Sequence, residues 1–168
     1  MSRQVPDIYG LGLYDASVIH KNKSVTPLRH VSLYEIEYIL EDGGTSYIND
    51  RSYAIKKGSV IVAKPGQIRH TEPPFKSLFV HFMVDDKETS ELLDKCPDFF
   101  SPDNHEDYEN ALRLLVSAYA SDMPYKDIKV CEYIFTLISV LSSNVSLFNS
   151  GKNTEGANRK SVTHNSCA

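Results

Sequence analysis

Residues 58–71, reading Gly-Ser-Val-Ile-Val-Ala-Lys-Pro-Gly-Gln-Ile-Arg-His-Thr, restrict the fold more than any other part of the chain. Gly58 takes a positive φ without steric cost and so suits a tight start to a strand. Residues 59–63 are small or β-branched, as a buried pleated surface requires. Pro65 has no N–H and stops a ladder, and Gly66 can make the sharp turn behind it. A strand is expected to resume near Ile68, carrying His70 and Thr71 toward whatever the sheets enclose. That order suits a small β-barrel with a polar group in its mouth.

Other strand signals surround this one. Residues 33–40 are rich in Ile, Leu and Tyr and are closed by Glu41-Asp42-Gly43-Gly44. Segments 45–48 and 51–55 flank Asn49-Asp50, a two-residue hairpin turn in which both residues tolerate φ > 0. Lys56-Lys57-Gly58 is a further turn, and residues 77–84 alternate well enough for another strand. Short strands at this spacing, with no long helix between them, predict an antiparallel sandwich or barrel.

After Asp85 the period becomes helical. A short helix is expected over 88–95, ending before Pro97. A second is expected from Ser101-Pro102, a good N-cap followed by proline at the first helical position. Tyr108, Ala111, Leu112, Leu115 and Tyr119 would form its apolar stripe. A third, over 125–143, carries two stripes: Ile128, Cys131, Phe135 and Ile138, and beside them Val130, Ile134, Leu137 and Leu141. A helix apolar on two sides must be covered on both. The second stripe is expected to bind a second copy of the chain, making a homodimer. The predicted organisation is therefore a β-barrel over 1–84, a helical dimerisation segment of two to three helices over 85–148, and a polar disordered tail or linker over 149–168.

Bulk properties exclude several classes. The chain of 168 residues has a formal net charge of −4 and no Lys/Arg-rich block, so by itself it is a poor nucleic-acid ligand. Three cysteines (Cys96, Cys131 and Cys167) form no C-x-x-C pair, and reduced thiols in a cytoplasmic protein are the simplest reading. Neither a signal peptide nor a membrane-spanning run is expected. No nucleophile motif stands out among the serines and cysteines, and His105 is expected to be solvated.

Together, 29–44 (Arg29-His30 through Tyr34-Glu35 and Tyr38 to Gly43-Gly44), the Tyr53 to Gly58 segment, Pro65-Gly66, His70 and Phe79-Val80-His81-Phe82 resemble the N-terminal effector-binding domain of AraC-type transcription regulators. The likeness runs over about 25–84. It implies a cupin-like jelly-roll barrel followed by dimerisation helices. Such proteins continue into a C-terminal helix-turn-helix domain, and no such pattern follows Phe148, so any DNA contact would belong to a domain outside this sequence. The resemblance also implies a set of ligand-binding residues: Arg29, His30, Glu35, His70, Thr71, Ser77, Phe79 and His81. Arg29 matches a position that commonly contacts effector, although an ion pair with Glu35 or Glu37 is an equal alternative. His70 and Thr71 match pocket-lining positions. Ser77, Phe79 and His81 share one face of a strand, with Phe79 as a stacking platform for a sugar ring and His81 either in the pocket or on its rim. Tyr34 and Tyr38 are expected in the core. An arm over residues 5–12 would fold across bound effector.

Metal-binding cupins carry a His-x-His, a glutamate and a later histidine. Here Leu28 stands at the first histidine position, with His30, Glu35 and His70 at the others. The missing imidazole argues against a resident metal, and no cofactor is expected. Two functional classes follow. One is a non-enzymatic sensor of a small metabolite, a sugar or sugar derivative, regulating transcription through an attached domain. The other is a stand-alone metal-dependent cupin enzyme, an isomerase or dioxygenase, which Leu28 disfavours.

Overall fold

The structure is a computed structural model that describes residues 5–160, with side chains through residue 146. Two antiparallel sheets face each other in a jelly-roll-like arrangement. Strands β1 (Asp7–Asp15), β8 (Lys76–Met83), β3 (Tyr34–Ile39), β6 (Val60–Ala63) and β9 (Phe99–Phe100) form one sheet in the order β1-β8-β3-β6-β9. The other is β2 (Arg29–His30), β7 (Ile68–Glu72), β4 (Thr45–Ile48) and β5 (Arg51–Ala54), ordered β2-β7-β4-β5. A single helical turn, α1 (Ala16–Ile19), follows β1. Helices α2 (Lys87–Lys95), α3 (His105–Ala120) and α4 (Lys126–Lys160) come last.

Turn chemistry sets the strand ends. Asn49 adopts φ 51° in the hairpin between β4 and β5, and its side chain accepts from the Ile68 N–H at 2.9 Å. Gly66 turns the chain at φ 91° between β6 and β7. Gly58 has φ 82°, and a Cβ there would also come within 3.3 Å of the His105 ring. That ring is not solvated as expected: its Nδ1 lies 3.1 Å from the Tyr38 hydroxyl.

Strand alternation divides the apolar residues into two cores. On β3, Tyr34, Ile36 and Tyr38 point out of the barrel and meet Val60, Val62, Leu78, Val80 and Phe82 beneath the helices. The expectation that Tyr34 and Tyr38 are core residues agrees with this placement. Between the sheets, Ile39, Ile48, Ile55, Ile61, Ala63 and Phe75 form an aliphatic floor. Each fully buried side chain of this kind contributes about 1.5–3 kcal/mol.

Several boundaries differ from expectation. The short strand β9 pairs with β6 and keeps the chain extended through Phe100. Ser101 therefore does not cap a helix; its hydroxyl bonds to that of Ser59 at 2.8 Å, and α3 starts at His105. Tyr108, Ala111, Leu112 and Leu115 are buried as the stripe predicts, whereas Tyr119, in the last turn of α3, is half exposed. The segment expected as a loose arm is the edge strand β1, registered against β8 from Asp7 to Asp15.

Helix α4 brings the largest corrections. Ile134, Leu137 and Leu141 are completely buried in the chain's own core with α3, and Val130 packs partly against it. The stripe assigned to a second copy is thus covered within one chain. The helical backbone also passes Asn149, where a polar tail was expected, and runs through Lys160. No proline follows Pro124 to interrupt it, and propagation adds one bond per residue. The remainder of the expected tail, 161–168, lies outside the described residues. Segment Lys126–Ser146 is long and apolar enough to cross a membrane, with mean hydropathy 1.3, contrary to the expectation of no such run. Its buried stripe here faces α3 and the barrel.

Candidate functional site

The mouth of the barrel is built by the inward pleats of strands from both sheets. The β3–β8 register sets Glu35 beside His81 and Glu37 beside Phe79. In the opposite sheet, β2 and β7 place Arg29 beside Arg69. Two arginines side by side would repel each other, and the two glutamates facing them remove the conflict. Arg69 donates to Glu35 Oε2 at 2.7 Å and to Glu37 Oε1 at 2.8 Å. Arg29 spans both oxygens of Glu35, at 2.5 and 2.7 Å. Of the two alternatives for Arg29, the ion pair with Glu35 is present, and the residue also lines the cavity.

Burial makes this network consequential. Only 3% of the Arg69 side chain is exposed, against 44% for Arg29. Burial by itself would raise the Glu35 carboxyl, but hydrogen bonds from Arg29 and the charges of Arg69, His81 and Arg29 outweigh it and leave the pKa lowered. Arg69 is held above its usual value: burial opposes the charge, and Glu37 and Glu35 more than restore it. His81 is lowered, first by burial, with both arginines acting in the same direction against the two glutamates.

A cavity of about 270 Å³ opens here, lined by Tyr14, Thr26, Arg29, Glu37, Arg69, His70, Thr71, Phe75, Phe79 and His81. Gly10 and Gly12 of β1 pass over Phe79; a Cβ at either would sit 3.8 Å from its ring, so the two glycines leave that face uncrowded.

Of the residues expected to bind ligand, Arg29, His70, Thr71, Phe79 and His81 border this cavity. Glu35 lies behind Arg29 as the anchor of both arginines. Ser77 is buried one pleat below Phe79 and does not border the cavity, and its hydroxyl has no partner among the described residues. His30 is exposed on the edge strand β2 and does not border it either, because it is the neighbour of Arg29, whose side chain takes the inward face. Neighbouring residues on a strand cannot both face inside, and β7 resolves this in favour of Arg69 and Thr71. His70 reaches only the border, its ring stacked on Tyr47 at 4.4 Å and 9°.

Arg69, Glu37, Tyr14, Thr26 and Phe75 were not anticipated as site residues. Arg69 was legible, since it lies two positions before Thr71 on the same strand face. The others depend on how the sheets close.

As possible metal ligands, Glu35, Glu37 and His81 bring donor atoms within 4.8 Å of one another. The donor set does not fit a resident ion, because the Arg69 guanidinium already bonds to both carboxylates. Leu28 is 63% exposed and adds nothing, and His30 and His70 point elsewhere. His30, Glu35 and His70, which stand at the family's metal-ligand positions, do not form such a group among the described residues.

The architecture is thus a jelly-roll-like barrel with an ion-paired polar mouth and helices packed on one sheet. No protein-family model matches the chain, and no curated protein matches it. Among solved structures it is similar to apo ToxT K231A from Vibrio cholerae, an AraC-type regulator, with TM-score 0.51 and 15% identity. That similarity covers 81% of this chain and 56% of ToxT. At such identity the likeness is one of fold. A predicted oxalate decarboxylase from Thermotoga maritima shares 18% identity over 50% of this chain and all of its own, at TM-score 0.34. The plu4264 protein of Photorhabdus luminescens aligns at TM-score 0.32 and 18% identity, over 55% of this chain and 87% of its own.

Proposed function

We propose that this chain is the effector-binding domain of an AraC-type transcription regulator, and that it binds a small hydroxylated metabolite without chemically changing it. The observation that carries the reading is the polar cavity between the sheets. Its charged and hydroxyl-bearing lining supplies donors and acceptors, while Phe79 and Phe75 offer apolar faces. Its volume is near the low end of small-molecule pockets, about 300–1,000 Å³, which suits an occupant of monosaccharide size. The fold shared with ToxT, of which this chain spans 56%, supports placement in a longer regulator that contacts DNA through another domain. Bound ligand would bias the arrangement of barrel and helices by its differential affinity, about 1–3 kcal/mol in typical systems.

A homodimer belongs to this reading, with a different surface from the one first expected. The groove between α2 and α4, lined in part by Leu92, Phe135, Ile138 and Val145, supports it. Sedimentation should show a dimer that Phe135→Glu weakens; a monomeric wild type at tens of micromolar would refute it.

The metal-enzyme alternative is favoured only by the closeness of Glu35, Glu37 and His81. Arg69 holds those carboxylates and counts against it. The decisive experiment is a thermal-shift screen with neutral and acidic sugars. At least one should stabilise the protein, and Phe79→Ala should abolish that response. A response indifferent to both Phe79→Ala and His81→Ala, or none across the panel, would overturn the reading.

A further inference from the structure

Arg29 and Arg69 differ in how freely each can change partners. Arg69 is enclosed and bonds to two buried carboxylates, so moving it would leave charges without water or partner. Arg29 is 44% exposed and, among the described residues, is paired with Glu35 alone. If Arg29 turns away, Glu35 keeps Arg69. Arg29 is therefore the cation of the cluster that can be handed to a ligand.

The geometry also indicates what kind of acceptor would draw it. A guanidinium fork is matched by two coplanar oxygens with shared charge. A ligand carboxylate replaces Glu35 like for like, whereas a hydroxyl pair offers weaker, uncharged acceptors. The ligand's hydroxyls have partners in the cavity lining beyond the arginines, where Tyr14, Thr26 and Thr71 present hydroxyl groups.

Charge balance adds a requirement. Arg29 and Arg69 offset Glu35 and Glu37, so an entering anion leaves the cluster one positive charge short. His81 Nε2 stands 3.8 Å from Glu35 Oε2, on the oxygen that also bonds Arg69. The charged groups facing His81 are Glu35 and Glu37 from β3, Arg29 from β2 and Arg69 from β7, with the Tyr14 hydroxyl of β1 lining the same cavity. Burial and the two arginines disfavour the charged imidazole in the empty site, against the pull of the two glutamates. Withdrawal of Arg29 toward an anion removes one of those repulsions and opens a place beside Glu35 for an imidazolium.

We propose that the cavity binds a small hydroxy-carboxylate, which draws Arg29 off Glu35 while His81 takes a proton from solvent and stands in for it. This rests on the effector-binding reading above and names the ligand class. Calorimetry on the full chain with D-gluconate and D-glucuronate against D-glucose tests it. An acid should bind at least about tenfold tighter than the neutral sugar, as a charge-assisted contact requires. Its apparent heat should vary with the buffer's ionisation enthalpy, reporting proton uptake that His81→Gln removes, and affinity should rise as pH falls through the histidine range. Arg29→Ala should weaken the acid about tenfold or more. Glu35→Gln should tighten it, because Arg29 is released beforehand. If Glu35→Gln does not fold, Arg29→Lys should weaken the acid and leave any neutral sugar unchanged.

Equal binding of neutral and acidic sugars, abolished by Phe79→Ala, would overturn the carboxylate assignment and leave the sensor reading in place. Heat independent of buffer would overturn the proton exchange. Failure of every acid and every neutral sugar would overturn both readings.

Discussion

Replacing Arg69 with methionine tests the network at its most buried point. Glu37 is 5% exposed, and among the described residues no other cation bonds to it. Arg69→Met therefore leaves that carboxylate enclosed without its counter-charge, while Glu35 retains Arg29. Breaking a buried pair from one side costs about 3–5 kcal/mol. Methionine fills much of the vacated volume, so the lower end, about 3 kcal/mol, is expected. With m between about 1 and 3 kcal/mol/M, the urea midpoint should fall by roughly 1–3 M. Glu37→Gln in the same background removes the stranded charge and should restore much of the loss. The double-mutant cycle should give a coupling above about 1.5 kcal/mol. Additivity within about 0.5 kcal/mol would show that the pair contributes no coupling, and the account of the site would fail. Arg29→Ala is the control: Glu35 keeps Arg69 there, so the loss should be smaller than for Arg69→Met.

Three further outcomes follow from the same coordinates. Folded His81 and Glu35 both have lowered pKa values, so each contributes stability above its unfolded pKa and loses it as pH falls through the folded one. The melting temperature should drop first on acidification below about pH 6.5, through His81, and again below about pH 4.3, through Glu35; His81→Gln should flatten the first limb, and an unchanged first limb would refute its assignment. Ile134→Glu should destroy cooperative unfolding in circular dichroism, because it places a charge in the core shared with α3; a well-folded monomer would instead mean that this stripe is an interface. At φ +73°, Gly44 admits no side chain without its Cβ running into the carbonyl oxygens of Glu72 and Pro74. Gly44→Ala should accordingly cost at least about 1–3 kcal/mol by chemical denaturation, and a neutral result would show that the turn relaxes freely.

Local chemistry accounted for much of the barrel. Pro65-Gly66, Asn49-Asp50 and Gly58 act through φ and missing donors, which depend on a few adjacent atoms, so their turns could be read directly from the chain. Alternation likewise determined which residues share a strand face: Phe79 with His81, and Arg69 with Thr71, although the second pairing was overlooked in favour of His70. The α3 stripe from Tyr108 to Leu115 was legible for the same reason, through the helical period.

Tertiary structure decided where those faces lead. Glu35, Glu37, Arg29 and Arg69 meet only because the two sheets close on each other, and no spacing along the chain encodes a contact between β3 and β7. Helix α4 carries two apolar stripes of similar strength, so its sequence alone could not say that Ile134, Leu137 and Leu141 turn inward. The short β9 strand displaced a good capping sequence at Ser101-Pro102 because pairing with β6 outweighed local helix preference. Faces and turns are short-range properties of the chain. The ion-paired cavity is a long-range one, created when distant strands exclude water from charges that each segment by itself would have left solvated.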